Sequence, residues 1–257
     1  VASHIYNMDL PFSYRVHGKP NTEKIEDFTN LLKILGYQLQ TKVYDLTPIT
    51  MQHILKELDD KPEFTILSSM LLRSMKKAEY SKENIGHFGL ASKAYTHFTS
   101  PIRRFPDLTV HRLLKKYLVE KDFSMRTIDY LNTSLVQIAE HSSEREVAAQ
   151  QAERDVADMK MAEYMESHIG EIYDAIIDSV TNYGFYVELP NLVEGLVHVN
   201  SLKGDYYEYV PDLLSLIGKS TKKTYRIGDK LRVRCISANK ETALIDFEVV
   251  EEQENGS

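Results

Sequence analysis

Apolar side chains recur at helical intervals over the first two thirds of the chain. Ile25, Phe28, Leu32 and Leu35 follow the polar start Asn21-Thr22 and stop at Gly36, so an amphipathic helix is expected there. Shorter helices are expected near 49–58 and 63–78. Pro106 suits the first turn of another helix, which carries Leu108, His111, Arg112 and Lys115 on to about Val119. The longest pattern covers 126–167. There Ile128, Leu131, Leu135, Ile138, Arg145, Ala149, Ala152, Val156 and Met159 keep close to a 3.6-residue period without Pro or Gly, across about ten turns. A helix of that length calls for a partner surface along its stripe.

From Gly170 the grammar changes. Glu171–Val180, Tyr183–Leu189, Val193–Val199, Lys230–Ser237 and Ala243–Val249 are rich in Val, Ile, Tyr and Phe, several of them alternating, and turn signals such as Asn-Tyr-Gly and Ile-Gly-Asp separate them. Five short strands in so little chain predict a small closed barrel. The domain boundary is expected near 168–170, and neither half contains an internal repeat.

Composition fits a globular protein: 257 residues, 42% hydrophobic and 27% charged. One cysteine, Cys235, allows no intrachain disulfide, and no apolar run approaches a membrane span. A cytoplasmic setting follows as the expectation. The net charge of -7 argues at first against nucleic acid, but it is unevenly spread. Residues 73–116 hold ten Lys+Arg against three Asp+Glu, and residues 219–240 hold eight against one, while residues 241–257 add six acids and no base. The basic stretches lie beside Tyr80, Tyr95, His97, Phe98 and Phe105, and beside Tyr206, Tyr207, Tyr209 and Tyr225. They read either as solvated faces or as phosphate attraction combined with rings on which bases stack.

The densest chemistry lies in Tyr95-Thr-His-Phe-Thr-Ser-Pro-Ile-Arg-Arg-Phe-Pro-Asp-Leu-Thr-Val-His-Arg112. Pro101 and Pro106 bracket a rigid turn that would hold Ser100, Arg103 and Arg104 together. A rigidly held pair of guanidinium groups suits phosphodiester oxygens or a phosphoryl transition state.

That string, with Met70–Leu90, Pro11-Phe-Ser-Tyr-Arg-Val-His17 and Gln151-Ala-Glu-Arg-Asp155, resembles the RNB catalytic domain of the ribonuclease II and ribonuclease R family. Gly170–Leu189 followed by Val193-Glu-Gly-Leu-Val-His-Val199 resembles the RNA-binding OB barrel named after ribosomal protein S-one. The insertion Asp205-Tyr-Tyr-Glu-Tyr209, with Leu216-Ile-Gly-Lys219 and Tyr225-Arg-Ile-Gly-Asp229, is similar to ribonuclease R members in particular. The resemblance implies an α+β chain: residues 1–168 as the mostly helical C-terminal portion of an RNB domain, 169–250 as a five-stranded OB-fold β-barrel, and 251–257 as an acidic disordered tail.

It also implies a function. The family degrades single-stranded RNA from the 3′ end to nucleoside 5′-monophosphates with a divalent ion, expected to be Mg2+, held by an aspartate cluster. No such cluster is found in this sequence. Glu57-Leu-Asp-Asp60 reads as a solvated helix end. The chain starts at Val1, inside what already reads as structure, and the family's N-terminal cold-shock barrels have no counterpart here. It is therefore expected to be the C-terminal piece of a monomeric enzyme, inactive alone; the competing reading is an RNA-binding module without turnover.

Carried over by motif, Arg103 matches the arginine on the scissile phosphate, and Glu153 matches a glutamate near the active site. For Glu153 a surface ion pair with Arg154 or Lys160 is the alternative. Tyr95, His97, Ser100, Arg104 and Arg112 are expected phosphate or ribose contacts, and His97 reads equally as a satisfied buried histidine. His87 is expected to line the RNA channel, or else to pack. In the barrel, Tyr183, Tyr186 and His198 fall at the family's RNA-facing positions, and Arg232 completes the set. His17, His111 and Cys235 are expected to be structural, and no spacing supports zinc.

Overall fold

In the computed structural model, residues 1–39, 46–61 and 64–250 are described. The tail read at 251–257 and the expected helix start at residue 63 lie outside these. The chain divides into two compact units, Val1–Gln150 and Gln151–Ser257.

The first unit begins with α1 (Ala2–Tyr6) and the three-residue strand β1 (Tyr14–Val16). Asn21 then opens α2 (Thr22–Ile34), its side-chain oxygen accepting from the Lys24 N–H at 3.2 Å. Ile25, Phe28, Leu31 and Leu32 form the buried face of α2. α3 (Pro48–Leu58) starts with a reciprocal cap: the Thr47 hydroxyl accepts from the Thr50 N–H, and the Thr50 hydroxyl accepts from the Thr47 N–H. α4 (Phe64–Arg73), packed on α2, stops five residues before the expected end at 78. The cause is tertiary: the Ser74 carbonyl accepts from the Asn21 N–H at 2.8 Å and the Lys76 carbonyl from His17 at 2.6 Å. These bonds draw the chain toward β2 (Glu79–Ser81), the antiparallel partner of β1.

α5 (Phe105–Leu114) continues as a single π-helical turn, Lys115–Val119, and α6 (Met125–Glu166) follows. Ala2, Ile5, Phe12, Tyr14, Val16, Val110, Leu113, Tyr117, Leu131 and Leu135 make one core that joins α1, β1, α5 and the start of α6. The helical stripe expected along α6 is covered only at its start, and burial resumes beyond its last member, Met159. Leu131, Leu135 and Ala139 are buried, as are Ala162 and Met165, but Ala149, Ala152 and Val156 are exposed. Periodicity marks which positions share a face, not whether a surface covers it.

The change from helix to strand falls between Glu166 and Ile172. β3 (Ile172–Thr181), β4 (Gly184–Glu188) and β5 (Glu194–His198) form an antiparallel meander, followed by an inserted sheet of β6 (Tyr207–Val210), β7 (Ser215–Gly218) and β8 (Thr224–Arg226). β9 (Lys230–Asn239) and β10 (Leu244–Val249) then close a five-stranded barrel in the order β10-β5-β4-β3-β9, with β10 parallel to β5. This is the barrel expected from the alternation. Ile177, Phe185, Val187, Val197, Val233, Cys235 and Phe247 fill it. Burial pushes the Cys235 thiol pKa up, as befits a packing residue. Among the described residues no helix is long and apolar enough to cross a membrane.

Candidate active site and nucleic-acid interface

The arginine turn is built by Asp107. Pro106 sits in the first turn of α5 and Asp107 follows it with no exposed surface. Its Oδ2 accepts from the Ser100 N–H at 2.7 Å and from Arg104 Nη2 at 2.9 Å. The Ser100 carbonyl in turn accepts from the Arg103 and Arg104 N–H groups at 3.3 and 3.0 Å. The positive end of α5 favours the carboxylate, which ties the turn from both sides. Arg104 is thereby half-buried, and Arg104 Nε and Asp107 Oδ1 are buried without a partner among the described residues. Arg103 is the reverse: fixed through its backbone, its exposed side chain makes no hydrogen bond or ion pair among the described residues. Arg112, also exposed, has its guanidinium 5.9 Å from the Phe105 ring centre.

Beside the turn's sequence runs a chain of rings assembled by β1. The β1–β2 register sets Arg15 opposite Tyr80, and the Arg15 N–H donates to the Tyr95 carbonyl at 2.9 Å. Near-perpendicular ring pairs then link His17–His87 at 5.1 Å, His87–Tyr95 at 5.3 Å, Tyr95–His97 at 5.8 Å and His97–Tyr80 at 5.6 Å. Arg15 lies 4.6 Å over the Tyr80 ring and is paired with Glu146 of α6 at 2.5 Å. Burial first, then the nearby Arg104 and Arg15, lowers the His97 pKa; burial, then His17 and Arg15, lowers that of His87. Both rings are therefore neutral at pH 7. Tyr80, held protonated by burial and by Glu146, places its hydroxyl 2.9 Å from His97 Nδ1. With Tyr80 donating, Nε2–H of His97 remains for a ligand. His87 Nδ1 accepts from the Leu90 N–H, again leaving Nε2. His17 has both nitrogens engaged, accepting from the Gly89 N–H at 2.9 Å and donating to Lys76.

The second unit gathers Tyr183, Tyr186 and His198 at one end of the barrel. Gly184 pairs with His198 across β4 and β5, and a Cβ on Gly184 would run into the Val197 carbonyl. Close strand approach thus requires the glycine between the two tyrosines. Tyr183 and Tyr186 meet edge to face with hydroxyls 3.3 Å apart. That hydrogen bond, with burial, pushes the Tyr186 pKa up to about 12. Tyr183 is 43% exposed. His198 is exposed, its Nδ1 accepting from the Asn200 N–H at 3.1 Å.

Other expected residues are not brought to these clusters. Arg232 faces Asp174 on β3 at 3.9 Å. The β3 partner of Tyr186 is Ser179, about 16 Å farther along the strand. Arg232 instead lines an open cavity of 1270 Å³ with Leu189, Leu231, Lys223 and Val249. Tyr207 and Tyr225, read either as part of a solvated face or as base-stacking rings, are buried: Tyr225 stacks on Phe185 at 5.0 Å and meets Tyr207 at 5.3 Å. They fasten the inserted sheet to the barrel. Glu153 lies exposed on α6 in the second unit, and among the described residues it makes no ion pair with Arg154 or Lys160; Lys160 is held by Glu163. Asp107, Arg15 and Glu146 were not singled out as site residues from the sequence, and Tyr80, named there only as a ring beside the basic stretch, is buried. The one local signal was an acid following proline in a helix's first turn.

Among the described residues no three His, Cys, Asp or Glu side chains converge as a metal-ligand set. Asp60, in the acidic run near 57–60, pairs with Lys61.

Residues 1–120 match the RNB domain family, and residues 166–249 match the S1 RNA binding domain family. Ribonuclease R 1 of Lactococcus lactis is 44% identical over 248 residues, covering 96% of this chain and 30% of the relative. Ribonuclease R of Escherichia coli is 41% identical over 247 residues, covering 93% of this chain and again 30% of the relative. The chain thus spans about a third of the length of the curated relatives it matches. The structure of Mycoplasma genitalium RNase R in complex with ribose methylated single-stranded RNA superposes with a TM-score of 0.87 at 28% identity, covering 97% of this chain and 39% of that one. With an RNB domain match followed by an S1 RNA binding domain match, the chain is similar along nearly its whole length to about a third of the ribonuclease R proteins.

Proposed function

We propose that the protein carrying this chain is a 3′→5′ exoribonuclease that hydrolyses single-stranded RNA to nucleoside 5′-monophosphates in RNA turnover, acting as a cytoplasmic monomer. The observation that carries the reading is Arg103: an exposed guanidinium without an ion pair among the described residues, on a backbone turn locked by the buried Asp107. A donor held in place before substrate arrives stabilises developing phosphoryl charge without reorganising. In this reading His87, Tyr95 and His97 hold ribose or phosphate through neutral donors, Arg104 and Arg112 add positive charge, and Tyr183, Tyr186 and His198 grip the strand upstream. Glu153 is assigned to the 3′-terminal nucleotide. The ligands of the Mg2+ implied by the family are assigned to residues outside this chain.

A second reading, an RNA-binding segment without turnover of its own, rests on the missing ligand convergence among the described residues. The test of both is a time course with a 3′-tailed RNA and Mg2+. The longer protein should release nucleoside 5′-monophosphates, and the 257-residue chain should bind the RNA without releasing them. Internal cleavage or nucleoside diphosphates as products would overturn the exonuclease reading; mononucleotides from the chain alone would overturn the placement of the metal ligands.

A further inference from the structure

The barrel closes without β6, β7 and β8, so the inserted sheet is not needed to complete it. One face of the insert is packing: Tyr207, Leu216 and Tyr225 are buried, with Tyr225 on Phe185, the residue before Tyr186. Its β7–β8 turn is held with unusual completeness. The Asp205 carboxylate accepts from the Tyr206 N–H at 2.7 Å, the Ser220 N–H at 2.9 Å, the Thr221 N–H at 2.6 Å and the Thr221 hydroxyl at 2.7 Å. These bonds, led by those from Thr221, hold the Asp205 pKa down to about 2. Gly218 has no room for a side chain, since a Cβ would come within 2.7 Å of Thr221 Oγ1.

The consequence is electrostatic. The acid of this turn is consumed by backbone donors, while Lys219, Lys222 and Lys223 remain exposed around it. Lys219 lies 4.8 Å over the Tyr206 ring and 3.6 Å from Glu208, whereas Lys223, 5.3 Å over the Tyr225 ring, has no ion pair among the described residues, so Lys222 and Lys223 carry the excess charge. Lys222 moreover occupies a left-handed backbone position, φ 60°, where glycine or asparagine is the ordinary residue. A lysine kept there against backbone preference points to a use for its charge. Tyr206 is 68% exposed, with one face toward a cation and the other open to a base.

We propose that this turn, through Lys222 and Lys223 with Tyr206, is a second contact for the sugar–phosphate backbone of single-stranded RNA, distinct from the Tyr183–Tyr186–His198 end; it rests on the RNA-binding reading above. The test is fluorescence anisotropy of a labelled oligoadenylate with the 257-residue chain over a salt series. Lys222→Ala with Lys223→Ala should weaken binding roughly five- to twentyfold near physiological salt and reduce the log–log salt slope by about 1.4, as for two lost phosphate contacts on a single strand. Lys222→Gly should weaken binding while leaving the melting temperature unchanged or higher, because glycine suits the turn. Binding by the parent chain with an unchanged slope in the double variant would overturn this contact and leave the RNA-binding reading standing. No RNA binding by the parent would overturn both. A Lys222→Gly chain that binds like the parent would show that the lysine serves only the turn.

Discussion

Asp107 and Arg104 form an ion pair at 2.9 Å in which the Asp107 side chain is wholly buried and the Arg104 side chain retains 22% exposure. Because the same Asp107 oxygen receives the Ser100 N–H, the pair is the lock of the arginine turn rather than a surface contact. Truncating Asp107 strands a half-buried cation and a part-buried amide together.

Asp107→Ala should therefore cost about 3 kcal/mol, at the lower end for a broken buried pair because Arg104 keeps some solvent. Asp107→Asn, which retains an acceptor for Ser100, should cost less. Urea unfolding of the two variants beside the parent measures this. Equal losses would show that the charge on Asp107 contributes nothing beyond its shape.

Arg103→Ala separates chemistry from architecture. The side chain is exposed and unpaired among the described residues, so stability should stay within about 0.5 kcal/mol of the parent. In the longer protein, turnover of RNA should fall more than ~100-fold with affinity mostly kept, as when a transition-state donor is removed. Single-turnover rates set against equilibrium binding decide it; an unchanged rate would take Arg103 out of the mechanism.

The ring chain predicts an acid-sensitive first unit. His97 and His87 have lowered pKa values in the fold, chiefly through burial, and Arg104, Arg15 and His17 oppose their charging while Asp107 and Glu146 favour that of His97. Above their ordinary pKa of about 6.5 both states are neutral and nothing is lost. As pH falls below it, the unfolded chain takes up protons first and stability declines until the folded values are reached. The denaturation midpoint of the parent should drop as the pH is taken below about 6.5, and that of His97→Gln should drop less. Parallel curves would mean that His97 titrates normally in the fold.

The two halves of the molecule were unequally legible. The barrel could be read because five alternating runs each bury a face, and period two is a local signal. The pairing of β1 with β2 could not: three-residue strands some 60 positions apart leave no periodicity, and only tertiary bonds such as Arg15 N–H to Tyr95 reveal them. The inserted sheet hid among its own Gly, Pro, Asp and Lys turn signals, and so Tyr207 and Tyr225 looked like exposed rings when they are buried. Arg103, Arg104 and Ser100 stood out because charge and proline crowd one motif. Asp107 did not, because an acid in a helix's first turn is ordinarily solvated. The sequence also cannot report the exposed middle of α6, since a stripe of apolar residues is the same with or without a surface against it.

At the barrel, stacking and hydroxyl chemistry make different predictions for the same two tyrosines. Tyr183 and Tyr186 share a hydroxyl contact at 3.3 Å and present rings at right angles, so a base that stacks on one ring meets the edge of the other. If stacking provides the affinity, Tyr183→Ala with Tyr186→Ala should weaken single-strand binding by ~1–3 kcal/mol per lost ring, and the salt slope should not move, because no phosphate contact is lost. Phenylalanine at both positions keeps the rings and removes the hydroxyl pair, so it should bind nearly as the parent does. A double phenylalanine variant as weak as the double alanine would reverse the argument, making the hydroxyls the recognising groups. Gly184→Ala supplies the geometric control: its Cβ meets the Val197 carbonyl, forcing β4 and β5 apart between the two tyrosines. It should lower both barrel stability and RNA affinity while leaving both rings in the sequence. Anisotropy titrations and thermal melts of the three variants beside the parent, run together, distinguish loss of a ring from loss of the frame that holds it.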